Sequence, residues 1–413
     1  MADLKDSILK ISLFHLLMTI CLLYNIIVYI YNEKNNKAGV EKCLVINRRM
    51  KMREERLKDN EMLDLLRMLA PGTSLRDGLE NILRARTGAL IIIGDSQEVL
   101  NIVDGGFYIN KEFSPAYIYE LAKMDGAIVV SKDLKRILYA NALIIPDSSI
   151  STDETGTRHK SAQRAAKQTE EVVISISQRR NVITLYKGSK KYLLRDTQTI
   201  LARANQALQT LEKYKAALDA AINNLSILEF EDIVTLDDVA VVIQRTEMVM
   251  RIVTEIDRYI CELGNEGRLI SMQMDELLAN IEQDGLLVVE DYMIYIDGKS
   301  AEDVLRQVRS YTYDELMDLT FICRTLGYYS ATSSLDINVS PKGYRIVSTI
   351  PRVPMAIIRN MVNKFFNLQG ILKASIEELD DVDGIGEVRA RAIKEGLRRV
   401  KDQVLPVDSR RLS

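Results

Sequence analysis

Short apolar segments alternate with helical patterns over the part of the chain that follows residue 58. Residues 89–93, 127–131 and 137–145 are mostly apolar runs of strand length, bounded by glycine or by charged turns. Two further runs of this kind occupy residues 172–177 and 182–186. Because strands that alternate with helices form layered structures, the pattern predicts an α/β domain with a central mixed sheet flanked by helices.

Helical periodicity fills the intervals between these runs. It covers residues 62–69 and 75–84, which are separated by a Pro-Gly break. A third helix is predicted over residues 114–124, because the segment opens with a serine cap followed by proline. A fourth helix is expected to begin near Ser161, and the glycine pair at residues 105–106 predicts a tight turn.

The chain becomes strongly helical from residue 196 to about residue 280. No proline occurs between Pro146 and Pro341, so nothing interrupts a long helix by that route. Apolar residues recur at helical spacing, among them Ile200, Leu201, Ala204, Leu208, Leu211, Met248, Val249, Ile252, Val253 and Ile256. The pattern predicts an all-α spine that serves as scaffold.

A glycine turn between two helical patterns marks the last quarter of the chain. Residues 382–386 are Val-Asp-Gly-Ile-Gly, which fits a helix-hairpin-helix whose backbone amides reach a DNA phosphate. A basic helix follows, and the expected DNA contacts are Gly384, Ile385, Gly386, Arg389, Arg391, Lys394 and Arg398. An ordinary hairpin with a solvated basic face is the alternative. The spacing and charge favour an all-α DNA-binding domain whose affinity falls with salt.

Composition limits the classes of protein that fit. The 413 residues carry a net charge of −3, so DNA binding requires a local basic patch. Four scattered cysteines without a CxxC pair argue against a zinc site or disulfides and favour a reducing cytoplasm. We expect four parts: an apolar extension at residues 1–51, the α/β domain at 52–190, the spine at 191–300 and the C-terminal domain at 301–413.

The N-terminal extension contains a long apolar run. Residues 11–31 carry no formal charge, and the run is long enough to cross a bilayer. Basic residues dominate its C-terminal side, which would place the rest of the chain in the cytoplasm. Two interpretations stay open, namely a membrane anchor and a translation start at Met50 or Met52. A cleaved signal peptide fits less well, because no small-residue cleavage site follows.

A carboxylate stands at a glycine break in the tripeptide Asp125, Gly126, Ala127, just before an apolar run. The small neighbours allow a ribose or a planar ring to approach the backbone. The carboxylate can hold Mg²⁺ or Mn²⁺ and help to deprotonate a hydroxyl nucleophile. Taken alone, the tripeptide fits an ordinary turn aspartate better.

A compact cationic cluster follows at residues 156–160, Gly-Thr-Arg-His-Lys. Arg158 and Lys160 offer charge-assisted hydrogen bonds to phosphate, and the helix expected behind them adds its N-terminal amides. His159 is one of two histidines and is suited to donate to a phosphate or to leaving pyrophosphate. A basic loop with a packed neutral histidine is the alternative. A metal-binding carboxylate and such a cluster together suit nucleoside triphosphate chemistry.

Several motifs in this order resemble the diadenylate cyclase family. The tripeptide at residues 125–127, the segment 140–147 and residues 154–159 look like its cyclase domain. From about Met52 to Leu405 the chain resembles the bacterial branch that scans DNA integrity, which also has counterparts of residues 105–107, 175–181 and 384–386.

The resemblance implies that two ATP condense to cyclic di-AMP and two pyrophosphates, in two facing cyclase domains that hold one ATP each. It implies that Asp125 binds the metal, Mg²⁺ or Mn²⁺, and activates the 3′-hydroxyl, with Arg158 and His159 as the other catalytic groups. The implied ATP contacts are Asp125, Gly126, Ala127, Ile144, Thr157, Arg158, His159, Lys160, Ser177 and Arg180.

The resemblance also implies an assembly and a partner. Members of this branch are expected to form octamers, with cyclase domains at the centre and DNA-binding ends outward. Branched DNA, such as a recombination junction, is the expected ligand, in the cytoplasm at the nucleoid. DNA at the ends would then lower the activity by misaligning the cyclase domains through the spine.

One residue departs from the family pattern of Arg-His-Arg. Its third position is Lys160, which keeps the charge but loses the planar two-pronged donor of arginine. Two other functions stay open. One is a non-enzymatic architectural DNA-binding protein with a degenerate cyclase domain, which Lys160 alone favours. The other is a membrane-tethered cyclase, in which residues 11–31 form the anchor.

Overall fold

The computed structural model describes residues 61–295, 298–329 and 335–405. The apolar run at residues 11–31 and the alternative starts Met50 and Met52 lie outside these ranges. Within the described part, no helix is long and apolar enough to cross a membrane. The chain divides into two compact units, Met1–Leu65 and Leu66–Ser413, and every element after the first described helix belongs to the second unit.

The first part of the described chain alternates helices and strands. The helices are α1 (Glu61–Met68), α2 (Ser74–Arg84), α3 (Gln97–Asn101), α4 (Pro115–Leu121) and α5 (Thr157–Thr169). The strands are β1 (Ala89–Ile93), β2 (Val103–Asp104), β3 (Phe107–Glu112), β4 (Ala127–Val130), β5 (Arg136–Ile144), β6 (Val172–Ser177), β7 (Val182–Lys187) and β8 (Lys190–Leu194).

These strands form one mixed sheet, which confirms the predicted α/β class. Its order is β2-β5-β4-β1-β6-β7-β8, and β3 also pairs with β5, so β2 and β3 share one edge. Strand β1 runs parallel to β4, and the other pairings are antiparallel. Every residue of β1 is buried, which requires cover on both faces of the sheet.

Helix α5 approaches the sheet closely because its inward face is made of alanine. Ala162, Ala165 and Ala166 are fully buried and pack in one cluster with Val173 of β6 and Tyr186 of β7. Small side chains leave little thickness between the helix and the strands. A long side chain that rises from the sheet can therefore reach the first turn of the helix.

The middle of the chain is all helical, as the sequence predicts. Its helices are α6 (Thr197–Glu231), α7 (Leu236–Leu263), α8 (Arg268–Leu277), α9 (Ile281–Tyr292), α10 (Ala301–Arg309), α11 (Tyr313–Met317) and α12 (Leu319–Thr325), with a 3₁₀ turn at Gly264–Gly267. Helix α6 has 35 residues, which corresponds to about 52 Å. One apolar cluster extends along α6 and α7 and includes residues of all the following helices up to α12.

Within residues 335–405, five helices form the C-terminal part: α13 (Tyr344–Ser348), α14 (Met355–Phe365), α15 (Leu368–Lys373), α16 (Ile376–Asp380) and α17 (Glu387–Val404). Their apolar core also contains Phe230 at the end of α6 and Leu287 of α9. The C-terminal helices therefore pack directly on one end of the spine, and the two share a core.

A buried ionic cluster fastens α13 to the spine. The carboxylate of Asp291 accepts hydrogen bonds from the amides of residues 343–345 at 2.7–2.9 Å, which satisfies the first turn of α13. The guanidinium of Arg345 pairs with the carboxylate of Glu229 on α6, and both side chains are buried. Because removing one partner of a buried ion pair costs about 3–5 kcal/mol, this cluster resists separation of the elements.

Several local features differ from the sequence expectation. The apolar pattern does not predict β2, β3 or β8, because these strands are short or largely exposed. Helix α4 ends at Leu121 rather than near residue 124, and the Ser114 side chain makes no capping hydrogen bond. Helix α5 begins at Thr157 rather than near Ser161, since Gly156 forms the extended cap and a polar first turn hides the helical periodicity.

Candidate functional site

Two strands begin and two others end at the same end of the sheet. Strands β1 and β4 are parallel and paired in register, so Gly88 and Gly126 precede them at the same end. Strand β6 is antiparallel to β1 and ends there with Ser177. Strand β5 is antiparallel to β4 and ends there with Ile144. The register therefore brings the turn at Asp125 together with Ser177 and Ile144, as the resemblance implied.

The turn that carries Asp125 requires glycine at its second position. Gly126 has a φ of +98°, and a Cβ built there would lie 2.8 Å from the carbonyl carbon of Asn141. On the opposite edge of β5, a Cβ at Gly106 would lie 2.8 Å from the carbonyl oxygen of Ala140. Asn141 has a φ of +52° and lies at an irregularity of β5. Two glycines thus enclose this bulge, and the Asp125 side chain stays exposed.

The first turn of α5 presents the predicted cationic cluster. Thr157 and Lys160 are exposed, and Arg158 and His159 are half-buried. The amide of Lys160 donates to the carbonyl of Gly156 at 2.8 Å, which is the first hydrogen bond of the helix. The preceding amides have no acceptor within the helix, and they add partial positive charge. The start of α5 is therefore suited to bind phosphate.

A chain of polar side chains leads from His159 towards the protein interior. His159 Nδ1 lies 2.9 Å from the hydroxyl oxygen of Tyr186. That hydroxyl donates to Oε1 of Glu154 at 2.8 Å, and Lys191 Nζ forms an ion pair with the same oxygen. The second ring nitrogen, His159 Nε2, is buried and has no hydrogen-bond partner among the described residues.

The protonation of this chain follows from its surroundings. Burial lowers the pKa of His159; Glu154 opposes this, while nearby cations such as Arg180 add to it. Burial and the hydrogen bond to Glu154 raise the pKa of Tyr186. Burial alone would raise the pKa of Glu154, but the hydrogen bonds from Lys191 and Tyr186 outweigh it, so the pKa is lowered. At neutral pH the chain joins an imidazole, a phenol and a carboxylate.

Helix α5 also holds the loop that carries Glu154. Buried Gln163 donates from Nε2 to Oδ1 of Asp153 at 2.5 Å. Arg164 donates from Nε to the carbonyl of Ile150 at 2.8 Å. The helix that carries His159 therefore also positions the carboxylate at the other end of the polar chain.

The guanidinium of Arg158 lies across Gly88, the residue before β1. A Cβ built at Gly88 would lie 2.0 Å from Arg158 Nη1 and 2.8 Å from its Cζ. Side chains larger than hydrogen at position 88 are thus incompatible with this position of Arg158. Glycine is needed here to make room for a neighbouring side chain, because its own φ lies outside the left-handed region.

Ser177 and Arg180 lie in the hairpin between β6 and β7. The amide of Arg180 donates to Ser177 Oγ at 3.3 Å, and the amide of Asn181 donates to the Ser177 carbonyl at 2.9 Å. Arg180 is exposed and close enough to affect the pKa of His159. Ile144 is 7% exposed, belongs to the apolar core and pairs with Val103 of β2.

Asp125 offers the kind of ligand that Mg²⁺ or Mn²⁺ uses. Its carboxylate is exposed, and the described residues contain no group of three or more His, Cys, Asp or Glu that could hold a metal. Mg²⁺ is usually bound by one or two carboxylates together with substrate phosphates and water. A single exposed aspartate beside a phosphate site therefore fits an ion that binds together with a nucleotide.

The C-terminal turn between α16 and α17 exposes its glycine backbone. Val382 and Ile385 are buried and anchor the turn, whereas Gly384 and Gly386 are exposed. Gly384 has a φ of +83°, which only glycine adopts readily, and a Cβ at Gly386 would meet nothing within 4 Å. The turn thus exposes its two glycines on an open surface, while the Ile385 amide donates to the Val382 carbonyl within the turn.

The basic residues of α17 are placed in two ways. Arg389, Arg391 and Arg398 are exposed. Lys394 is half-buried, and its ammonium donates to the carbonyl of Leu372 at 2.8 Å, at the end of α15. All of these residues stay predictions as DNA contacts, and Lys394, Arg389 and Arg391 already have acceptors within the protein.

Analysis of the sequence does not identify three residues of the site. The motif that contains Arg158 does not include Gly88. Tyr186 and Lys191 also lie outside that motif, many residues further along the sequence. The available signal is Tyr186, which places a polar atom in a strand of buried apolar residues. Such an atom needs a partner, although the sequence cannot say which one.

Three family models match the chain. The nucleotide-binding domain of the DisA bacterial checkpoint controller matches residues 76–191. The linker region of the same controller matches residues 194–335, and a helix-hairpin-helix motif matches residues 367–396.

Curated relatives match most of the chain. The DNA integrity scanning protein DisA of Acetivibrio thermocellus is 67% identical over 358 residues, which cover 87% of this chain and 99% of that protein. The protein of the same name from Clostridium kluyveri is 59% identical over 348 residues, covering 84% of this chain and 98% of its own. The Clostridium perfringens protein is 60% identical over 346 residues, covering 84% and 97%.

The site and these matches define a diadenylate cyclase with an ATP-binding cyclase domain and a helix-hairpin-helix that binds DNA. More specifically, the chain belongs to the family of DNA integrity scanning proteins, DisA. The resemblance seen in the sequence is thereby confirmed. Diadenylate cyclases generally act with a divalent metal ion, for which the exposed carboxylate of Asp125 offers suitable oxygen atoms.

The contact between Gly88 and Arg158 predicts the effect of Gly88→Ala. The new methyl group displaces the guanidinium, because the guanidinium is the flexible end of its side chain, and the fold is retained. Loss of a charge-assisted hydrogen bond to phosphate costs about 1.5–3 kcal/mol, so kcat/KM for ATP should fall roughly 10- to 100-fold. Steady-state kinetics and thermal unfolding of the variant measure the two effects.

Gly94→Ala is the matched control, since Gly94 follows the same strand at its other end and a Cβ there would also meet a side chain, Glu171 at 2.9 Å. This variant should retain wild-type kinetics. Equal kinetics in the two variants would show that displacement of Arg158 has no bearing on the reaction.

Proposed function

We propose that the end of the sheet at which Gly88, Gly126, Ile144 and Ser177 lie holds one ATP for cyclisation. The observation that carries this proposal is the strand register together with the contact of Arg158 with Gly88, because they bring an exposed carboxylate and a cationic helix start to one end of the sheet. In this proposal the triphosphate lies at the start of α5. The contacts are Thr157, Arg158, His159, Lys160, Ser177 and Arg180 for the phosphates, and Gly126, Ala127 and the backbone at Ile144 for the adenosine.

The reaction joins two ATP in facing sites. The 3′-hydroxyl oxygen of one nucleotide bonds to the α-phosphorus of the other, the bond to the β-phosphate breaks, and pyrophosphate leaves with the electron pair. The hydroxyl loses its proton, which Asp125 accepts in this proposal. A second such step closes the ring. Arg158 and the amides of α5 stabilise the charge that develops on the phosphate oxygens.

Asp125 is also the proposed metal ligand, and Mg²⁺ or Mn²⁺ is the proposed ion, because both prefer oxygen ligands. When bound, such an ion increases the acidity of a coordinated hydroxyl and neutralises phosphate charge. The exposure of Asp125 supports this role, since its oxygens are accessible to an ion that phosphates also hold.

Asp125→Asn tests this assignment. The amide keeps the volume of the side chain but removes both the charge and the base, so cyclic di-AMP formation with Mn²⁺ or Mg²⁺ should fall at least about a thousandfold. Mass spectrometry of the products and DNA affinity measure the effect. Asp95→Asn changes another exposed aspartate at a strand end and should leave the rate unchanged. Substantial synthesis by Asp125→Asn would refute the assignment.

A single cyclase domain holds one ATP, so two domains must face each other, and we propose an octamer with these domains at its centre. Large apolar side chains support a contact near the site. Phe107 and Tyr108 on β3 are 59% and 64% exposed, and Leu143 and Ile145 at the end of β5 are 59% and 54% exposed. A second copy would remove this apolar surface from water.

Light scattering of the full chain should give a mass near eight chains. Phe107→Glu should lower this mass and the rate of synthesis together, because a charge is costly in an apolar contact. Leu193→Glu, on the opposite edge strand, has a similar initial exposure of 48% and should change neither. An active monomer would contradict the facing arrangement.

We further propose that branched DNA binds the turn at residues 384–386 and the arginines Arg389, Arg391 and Arg398, in the cytoplasm at the nucleoid. Phosphate contacts of this kind give affinity without base specificity. Binding is proposed to lower synthesis through α6, because this helix follows β8 directly and is held at its other end by the ion pair of Glu229 and Arg345.

Gly386→Ala separates DNA binding from folding. Its methyl group projects into open space and its backbone is extended, so the fold is retained while the approach of a phosphate is blocked. The affinity for a four-way junction should fall about tenfold, and the junction should no longer lower synthesis. Arg258→Ala, which removes an exposed arginine from the spine, is the control. Unchanged junction affinity in Gly386→Ala would place the DNA site elsewhere.

A further inference from the structure

The polar chain at His159 determines which ring nitrogen carries the proton. Tyr186 has one hydroxyl proton, and it donates this proton to Oε1 of Glu154 at 2.8 Å. Glu154 accepts rather than donates, because Lys191 forms an ion pair with the same oxygen. The hydroxyl oxygen of Tyr186 is therefore an acceptor towards His159 Nδ1, which lies 2.9 Å away and must carry a hydrogen.

The neutral imidazole is thus fixed with its hydrogen on Nδ1. Its Nε2 then has a lone pair and no hydrogen, and this atom is buried without a hydrogen-bond partner among the described residues. A phosphate oxygen is also an acceptor only. In this tautomer His159 cannot donate to a phosphate, although the proposed site requires that it does.

We propose that Tyr186, Glu154 and Lys191 are positioning residues that hold His159 as the Nδ1–H tautomer, so that His159 engages the triphosphate of ATP only by taking up one proton at Nε2. The proton comes from solvent, and the product is an imidazolium with one donor to Tyr186 and one to phosphate. This inference rests on the proposed placement of the triphosphate at the start of α5.

The charged groups around His159 oppose protonation before ATP binds. Burial favours the neutral ring, and Arg180, Lys191 and Arg158 repel an added positive charge, while Glu154 attracts it. The triphosphate reverses this balance, because its negative charge neutralises the cations and attracts the imidazolium. ATP binding and proton binding should therefore be coupled.

The sign of the pH dependence follows directly. The pKa of His159 lies below its usual value in the free protein and should rise when the triphosphate binds. Proton uptake is largest between these two pKa values. Between these two pKa values the affinity for ATP should fall by up to about tenfold for each unit of pH, and above the pKa of the complex it should level off.

The tautomer can be measured without a nucleotide. The chain has two histidines, so the His15→Gln variant leaves His159 as the sole source of histidine signals. Nitrogen-15 spectra of sedimented full-length protein, labelled at histidine, should show a protonated Nδ1 and an unprotonated Nε2 at about pH 7.5. A protonated Nε2 in the free protein would overturn the inference.

Calorimetry of 3′-deoxy-ATP binding measures the proton itself. This probe lacks the attacking hydroxyl and cannot cyclise. Titrations with Mg²⁺ in buffers of different ionisation enthalpy should show uptake approaching one proton for the wild type, above the value for His159→Gln, which corrects for the titration of the nucleotide. Weaker binding by His159→Gln with equal proton uptake would refute only the coupling of ATP binding to proton uptake. Equal binding by both would refute the placement of the triphosphate.

Two variants separate positioning from packing. Tyr186→Phe keeps the ring but removes the acceptor of the Nδ1 hydrogen, so the neutral Nε2–H tautomer becomes accessible and can donate without proton uptake. Uptake should fall to the value for His159→Gln, and the pH dependence of KM should flatten. Glu154→Gln keeps an oxygen that accepts from both Tyr186 and Lys191, so the tautomer and the uptake should persist. The same uptake in Tyr186→Phe as in the wild type would overturn the proposal.

Discussion

The strand register at the centre of the sheet is the constraint on which the cyclase site depends. Strands β1 and β4 are parallel, and an antiparallel strand lies on each side of the pair. Two strands therefore begin and two strands end at the same end of the sheet. A shift by one residue would turn every side chain of a strand to the opposite face. The continuous burial of β1 makes such a shift costly, because its apolar residues pack on both faces. The core of the domain therefore fixes the geometry of its chemistry.

Helix α5 connects this core to the charged groups of the site. Its alanine face rests on the strands, and its first turn carries the cations. The same short separation lets the Tyr186 hydroxyl pass from the sheet to His159 and Glu154. The packing of α5 on the sheet therefore also determines the hydrogen bonds that set the protonation of His159. A larger residue in place of Ala162 would lift the helix, and it would also lengthen the hydrogen bonds that set the protonation of the histidine.

Much of this arrangement can be predicted from the sequence. The apolar runs predict the strands of the sheet's interior, and the long stretch without proline predicts the spine. The motifs predict that Asp125, Arg158 and His159 belong to one site, and the structure places the start of α5 and the turn at Asp125 at the same end of the sheet. The short edge strands are not predicted, since their exposed residues carry no apolar signal. The start of α5 is placed too late, because its first turn is polar. Gly88, Tyr186 and Lys191 are missed, since their roles depend on contacts between elements that are distant in sequence.

The length of α6 gives the junction with the C-terminal helices a mechanical consequence. Glu229 lies near one end of a helix of about 52 Å, and the last strand of the sheet leads directly into its other end. A tilt of about two degrees about the Glu229 end would displace the far end by about 2 Å. Misplacement of reacting groups by about 1 Å can slow a reaction on the order of a hundredfold. The ion pair of Glu229 and Arg345 therefore holds the end of α6 about which a tilt of about two degrees would move the start of the helix far enough to misplace groups in the cyclase domain.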